Sequence, residues 1–280
     1  MPFNWRNSHD PATCRVDPAP PRPAVQSDAP TTLDVLVKIL SLAPEAWVHR
    51  PALNLGLVLD RSGSMGGHKI VFAREAAIFT VQELQATDRV SLTIFDDDIE
   101  TLAPNALVED KNWLVELIRR IRPGGSTALH GGWEEGARQV GRHLARRGLN
   151  RVLLLSDGHA NAGVTQADAI TSDVHRRALE GITTTTLGLG DDYNEDLLQA
   201  MAIVGDGNYY YVDSPAQLPA IVATELRGLA ATVGTGVNLA VEPSDGISVA
   251  EVLNDFDRLP DGRLKLPNLV AGCPTLIAPP

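Results

Sequence analysis

From residue 53 the chain alternates between two hydrophobic periods. Residues 53–59 form a nearly unbroken apolar run ending at Asp60, the pattern of a strand covered on both faces. A Gly/Ser-rich turn follows, and then Ile70, Ala73, Ala77, Val81 and Leu84 recur at spacings of three and four, which is one face of a helix. The cycle repeats with residues 90–95 as strand, Trp113, Leu114, Leu117, Ile118 and Ile121 as helix, Trp133, Ala137, Val140 and Leu144 as a second helix, and residues 151–155 as strand. Thr165 and Asp168 have the spacing of a capping box for a helix reaching about residue 180, and residues 183–189 are a β-branched strand. Asn194 is placed to cap a helix holding Leu197, Leu198 and Met201, and residues 209–212 add a strand. Ser214, Pro215 and Gln217 supply cap, first-turn proline and capping partner for a helix through residue 229. The alternation predicts an α/β fold: a doubly wound, mainly parallel sheet with helices on both faces.

The flanks read differently. Residues 1–30 hold seven of the 19 prolines and little apolar periodicity, so they are expected to be a flexible tail. In residues 31–50, Leu33, Val35, Val37 and Ile39 alternate with Asp34, Leu36 and Lys38, the period of a half-buried strand. Residues 231–280 lose the helical period. There Val237, Leu239 and Val241 alternate, as do Ile247 and Val249 and then Leu264 and Leu266, with Pro-Ser-Asp-Gly and Pro-Asp-Gly turns between them. If the strand in 31–50 pairs with this C-terminal region, the α/β domain of residues 51–230 is an insertion into a small β-sandwich-like module.

Charge narrows the functions. With 24 Lys and Arg against 35 Asp and Glu the net charge is −11, which argues against nucleic acid, because phosphate affinity comes from basic side chains releasing counterions. No apolar run approaches the roughly 20 residues of a membrane span, and the first residues lack the apolar core of a secretory signal. The expectation is a cytoplasmic protein. Cys14 and Cys273 sit far apart and form neither a metal-ligand spacing nor a disulfide framework.

Open α/β sheets bind ligands beyond the carboxyl ends of their strands. Three segments meet there: Asp60, Ser62 and Ser64 after the first strand, a Gly-Gly-Ser-Thr loop ending at Thr127, and Ser156, Asp157 and Gly158 after the 151–155 strand. These offer carboxylates and hydroxyls, with no Cys or His at ligand spacing. Such oxygen donors suit a hard cation, Mg²⁺ first and Mn²⁺ or Ca²⁺ as competitors.

Asp60, Ser62 and Ser64 with Thr127 and Asp157, in this order on these elements, resemble the metal-ion-dependent adhesion site of the von Willebrand factor A domain family. The likeness covers about residues 52–230, and is nearest to bacterial single-chain members whose flanking β-segments form a second domain. It implies that Ser62 and Ser64 bind the metal directly, that Asp60 and Asp157 act mostly through water, and that Thr127 joins or leaves according to state. It also implies that an Asp or Glu of a partner protein completes the coordination. The resulting expectation is a non-enzymatic, metal-dependent adaptor. The alternative is a non-catalytic subunit working with a separate AAA+ ATPase, as in metal chelatases; the chain itself has no Walker loop.

Other signals have plainer readings. Ser156 beside Asp157 lacks the Gly-x-Ser-x-Gly elbow of a hydrolase. His130 and His159 read as exposed loop residues, Asp96, Asp97 and Asp98 as a solvated hairpin turn, and Tyr209, Tyr210 and Tyr211 as sheet residues alternating between faces. Residues 119–151 hold eight arginines against Glu134 and Glu135, a local charge of 8 − 2 = +6. That segment is either a set of solvated helix faces or a stripe that steers an acidic partner.

Overall fold

The computed structural model describes residues 14–19, 35–41, 52–144, 149–190, 193–230, 232–234, 237–243, 248–254, 256, 258, 259, 261–270 and 274–277. The chain divides into two units: Pro51–Ala230, and Met1–Arg50 together with Ala231–Pro280.

In the discontinuous unit, β1 (Cys14–Ala19) pairs antiparallel with β2 (Leu36–Ser41). β1 lies inside the proline-rich stretch expected to be a flexible tail. It is an edge strand of a three-stranded sheet, the position where a proline such as Pro18 is tolerated. Along β2 the buried positions are Val37, Ile39 and Ser41, the alternation expected from its period.

The continuous unit contains β3 (Leu53–Asp60), α1 (His68–Glu83), β4 (Arg89–Phe95), β5 (Ile99–Leu107), α2 (Lys111–Arg119), α3 (Leu129–Gly141), β6 (Leu149–Ser156), α4 (Ala167–Leu179), β7 (Ile182–Leu189), α5 (Glu195–Val204), β8 (Tyr209–Val212) and α6 (Leu218–Ala230). One six-stranded sheet runs β5-β4-β3-β6-β7-β8, parallel except for β5. All eight residues of β3 and of β6 are buried, as strands covered on both faces require. Leu53, Leu55, Leu57 and Leu59 pack on one face with α1, α2 and the start of α6. Val58 points the other way, into a cluster with Trp133, Val140, Ile170, Val174, Leu198 and Met201 from α3, α4 and α5.

Helix α3, which follows Thr127, lies unusually close to the sheet. A Cβ on Gly132 would fall 2.3 Å from Phe95 Cδ1, and one on Gly136 would fall 2.2 Å from Val58 Cγ2. Glycine one turn apart therefore sets how near the Thr127 loop approaches β3 and β4. Trp133 between them is fully buried and donates Nε1–H to Thr184 Oγ1 at 3.0 Å.

Several local expectations change. β5 has no clean alternation and contains Pro104; as an antiparallel edge strand it is formed by pairing with β4 rather than by its own pattern. The buried stripe of α2 is Leu114, Val115 and Ile118, which leaves Trp113 half exposed on the helix flank. Leu144 lies beyond the end of α3 and is exposed. No side chain caps α4, so Thr165 and Asp168 do not form the expected box, whereas Asn194 Oδ1 does accept from Leu197 N in α5. Pro215–Gln217 is a single 3-10 turn, held by Gln217 N donating to Ser214 O, and α6 starts after it.

A buried polar network anchors α6. Arg151 of β6 donates to Thr183 Oγ1 (2.8 Å), Thr185 Oγ1 (2.6 Å), Glu225 Oε1 (2.7 Å) and the Asp206 carbonyl (3.3 Å). Glu225 of α6 also accepts from Thr185 Oγ1, Asn208 Nδ2 and Tyr210 OH.

The C-terminal part of the discontinuous unit has β9 (Thr232–Gly234) paired with β12 (Leu269–Val270), β10 (Asn238–Leu239) with β11 (Leu264–Lys265), and β13 (Pro274–Ile277) antiparallel to β2. Val37, Ile39, Leu266 and Leu269 form its buried cluster, with Val16, Val237, Leu239 and Phe256 packed against it. Val241 and Val249, expected in strands, lie outside any strand and are exposed; Ile247 lies outside the described residues.

Candidate metal-binding site

The fold carries Asp60, Ser62, Ser64, Thr127 and Asp157 to the carboxyl end of the parallel strands. Asp60 is the last residue of β3 and Asp157 follows the last residue of β6; neither is exposed at all. Ser62 is buried, while Ser64, in a single 3-10 turn before α1, is exposed. The Ser62 and Ser64 hydroxyls lie 3.1 Å apart, so both project to one spot.

Hydrogen bonds tie the three segments together. Asp60 Oδ1 accepts from Ser62 N (2.8 Å), closing the turn, and Oδ2 accepts from Ser156 Oγ (2.5 Å), which joins it to the Asp157 segment. Gly63 N donates to Gly125 O (2.9 Å) and Gly124 N to Arg61 O (2.7 Å), so the Thr127 loop is stitched to the β3 turn. Thr127 N donates to Asn161 Oδ1, and the Thr127 carbonyl accepts from Asn161 N and Ala162 N, which fixes the same loop against the chain after β6. Asn194 N donates to Asp157 O, so the start of α5 supports the third segment.

The acidic turn between β4 and β5 belongs to this framework rather than to solvent. Asp96 is buried, is ion-paired with Arg61, whose Nη2 donates to its Oδ1 at 3.2 Å, and accepts from Asp98 N, and its carbonyl accepts from Ala128 N. Asp97 Oδ1 accepts from Ser126 N at 2.7 Å. The turn itself is the hairpin expected from its sequence; its burial is not.

Burial pushes the Asp60 carboxyl up to about 6, against the bonds from Ser156 and Ser62, and the neighbouring Asp157 charge adds to the rise. An ionised Asp60 is therefore only partly compensated by these bonds. Lys69, the second residue of α1, supplies one positive charge: its Nζ lies 3.0 Å from Asp157 Oδ2, and its side chain is only 11 % exposed. Sequence reasoning passed over Lys69, and it placed Ser156 in the third segment without its bond to Asp60. The signal for Lys69 is its spacing, since it shares the buried face of Phe72, Ala73, Ala76 and Thr80, where a charge requires a partner.

Among the described residues no three His, Cys, Asp or Glu side chains gather as a metal cluster. The candidate site instead has two carboxylates and three hydroxyls. Converging hydroxyls beside an under-compensated buried carboxylate fit a hard divalent cation, and nothing in this donor set favours a soft one.

The other candidates lie elsewhere. His130 is half-buried against Trp133 and bonds Asp173 Oδ2 at 2.8 Å, so it is not an exposed loop residue, and His159 is also half-buried. Tyr210 turns toward Glu225, while Tyr209 and Tyr211 turn toward Tyr193, which stacks on Tyr211 at 5.0 Å. Three of the six described arginines in the 119–151 segment pair with carboxylates: Arg151 is buried with Glu225, Arg138 is forked to Glu135, and Arg119 pairs with Glu116. Arg146 and Arg147 lie outside the described residues. Arg120, Arg122 and Arg142 are exposed, so part of this basic segment stays on the surface.

A mainly parallel sheet with helices on both faces and oxygen-bearing side chains at its carboxyl end defines a doubly wound α/β domain. Within it, residues 54–224 match the model of the von Willebrand factor type A domain, and the chain belongs to that family. It is 29% identical over 194 residues to the uncharacterized protein YfbK of Escherichia coli (strain K12), covering 69% of this chain and 34% of that protein. The chain thus spans about a third of that relative's length. Its fold is similar to a von Willebrand factor type A protein from Catenulispora acidiphila (TM-score 0.62, 15% identity, 84% of this chain and 54% of that one). It is also similar to proximal thread matrix protein 1 from the mussel byssus, solved with a zinc-occupied MIDAS motif (TM-score 0.55, 16% identity, 67% of this chain and 50% of that one).

Proposed function

We propose that the chain is a non-enzymatic protein-binding module that holds a divalent cation with Asp60, Ser62, Ser64, Thr127 and Asp157 and recognises an acidic residue of a partner protein. The observation that carries this reading is the convergence of the Ser62 and Ser64 hydroxyls, 3.1 Å apart, beside two fully buried carboxylates. When bound, the cation supplies a Lewis-acidic position for an incoming carboxylate. Ser62 and Ser64 contribute neutral oxygens, so the cation's charge is left only partly compensated. Asp60 and Asp157, held by Ser156, Ser62 N and Lys69, orient the set. Mg²⁺ is the resident ion this donor chemistry favours, with Mn²⁺ and Ca²⁺ as competitors; the byssus protein was solved with zinc in its MIDAS motif.

Titration calorimetry of MgCl₂ and MnCl₂ into the chelator-treated protein tests the site. Binding by the wild type and its loss in Ser62→Ala support the reading; equal binding by both refutes the assignment. Capture of partners from the native cell in Mg²⁺ against EDTA tests the adaptor role, and a metal-dependent ATPase among them would place the module beside a separate motor subunit.

A further inference from the structure

We propose that Lys69 is a built-in counter-ion that sets the charge of the oxygen site, weakening its hold on the divalent cation while keeping the loaded site net positive, so that an anionic ligand is favoured. The inference rests on the metal-dependent reading above and deepens it by naming what makes the site select a carboxylate.

Lys69 sits where a lysine is costly. It lies in the first turn of α1, whose unsatisfied N–H groups repel a cation, and that turn contains no acidic residue to offset it. Its side chain is nearly buried, and its ammonium faces a carboxylate with no solvent exposure. The chain also makes room for it. Gly190, at φ +81° just beyond β7, would with a Cβ fall 2.8 Å from Lys69 Cε and 2.9 Å from Cγ. A side chain at 190 would thus press on the lysine stem as well as strain the backbone. A buried pair of this kind is weak evidence for stability, because desolvation offsets much of the attraction. Its placement on Asp157, one of the five converging residues, gives it an electrostatic role there.

The charge balance states that role. Among the described residues, the formal charges of Asp60, Asp157 and Lys69 sum to −1. A divalent cation brings the site to +1, and one partner carboxylate brings it to zero. Without the lysine charge, the same cation already reaches neutrality, and a carboxylate would leave a net negative charge beside buried groups. The lysine thereby trades metal affinity for anion affinity.

The test compares MnCl₂ isotherms of the chelator-treated full chain as wild type, Lys69→Met and Lys69→Gln, followed by titration of acetate into each Mn²⁺-loaded protein. Circular dichroism confirms the fold of each variant. Glutamine keeps a hydrogen-bond donor without charge, and either folded variant suffices. Removing the charge is expected to tighten Mn²⁺ at least about tenfold and to weaken acetate at least about threefold. Lys69→Arg, which keeps the charge, is expected to stay within about threefold of wild type for both ligands. A purely structural lysine would lower the melting temperature without tightening metal. Unchanged or weaker Mn²⁺ binding in the neutral variants, with wild-type binding intact, overturns this inference alone; absence of Mn²⁺ binding in the wild type overturns it together with the proposed function.

Discussion

Two buried cation–carboxylate pairs join helices to the central sheet, and they are built to opposite rules. Arg151 and Glu225 sit in a saturated network: Glu225 accepts from Arg151, Thr185, Asn208 and Tyr210, and Arg151 reaches two threonines and a carbonyl besides. Lys69 and Asp157 sit at the end of the strands, beside a second carboxylate whose pKa burial has raised, and beside hydroxyls that face one another. The first pair has its charges and lone pairs satisfied by the protein. The second lies in a group of side chains whose charges the protein balances only in part. Saturation marks the fixed end of the molecule, and partial balance marks the end able to receive a ligand.

Breaking the saturated pair gives the largest effect. Glu225→Ala leaves Arg151 buried and unpaired, and is expected to cost about 3–5 kcal/mol in urea unfolding. That cost should be the same with and without Mg²⁺, whereas a loss that Mg²⁺ relieves would erase the contrast between the pairs.

Asp60→Asn sharpens the other side. Because the folded-state pKa of Asp60 lies above its unfolded value of 3.8, the metal-free fold is most favoured with Asp60 protonated, and stability is lost as pH rises through about 6. The substitution should therefore stabilise the chelator-treated protein at pH 7 by on the order of 1–3 kcal/mol. The advantage should shrink toward pH 4, and the variant should no longer respond to Mg²⁺. A melting temperature below wild type at pH 7 without metal would contradict this.

Ser62→Ala removes a hydroxyl that faces Ser64 and also bonds the Asp60 carboxylate. The expected change in metal-free stability is under about 1 kcal/mol, together with loss of the thermal shift that Mg²⁺ gives the wild type. Smallest of all, Arg138→Gln breaks the fork to Glu135 on the surface of α3 and should change unfolding free energy by no more than about 0.5 kcal/mol. A larger loss would show that this exposed pair belongs with the buried ones.

The same contrast explains what was legible in the sequence. β3, β6 and the helices facing them follow from period and burial, because a parallel strand covered on both faces leaves an apolar run such as residues 53–59. The five oxygen-bearing residues follow from short local motifs at strand ends. Lys69 was not legible as part of the site, since its partner lies 88 positions away and only the packing of α1 against the sheet reveals it. β5 was hidden because an edge strand borrows its shape from its neighbour, and β1 because proline at an edge does not forbid pairing. Arg151 was misjudged as surface charge because a one-dimensional count does not see Glu225, which is 74 positions away, folded against it.

The pairing of β13 with β2 has a consequence in time. Val37 stands opposite Ile277, so two neighbouring strands of one small sheet are made about 240 residues apart. At roughly 5–20 residues per second of synthesis, the β2 edge waits on the order of 10–50 s for its partner, while the intervening α/β unit is completed. During that interval an open strand edge is on offer to any other nascent chain, and the discontinuous unit, rather than the α/β unit, is where misassembly would begin.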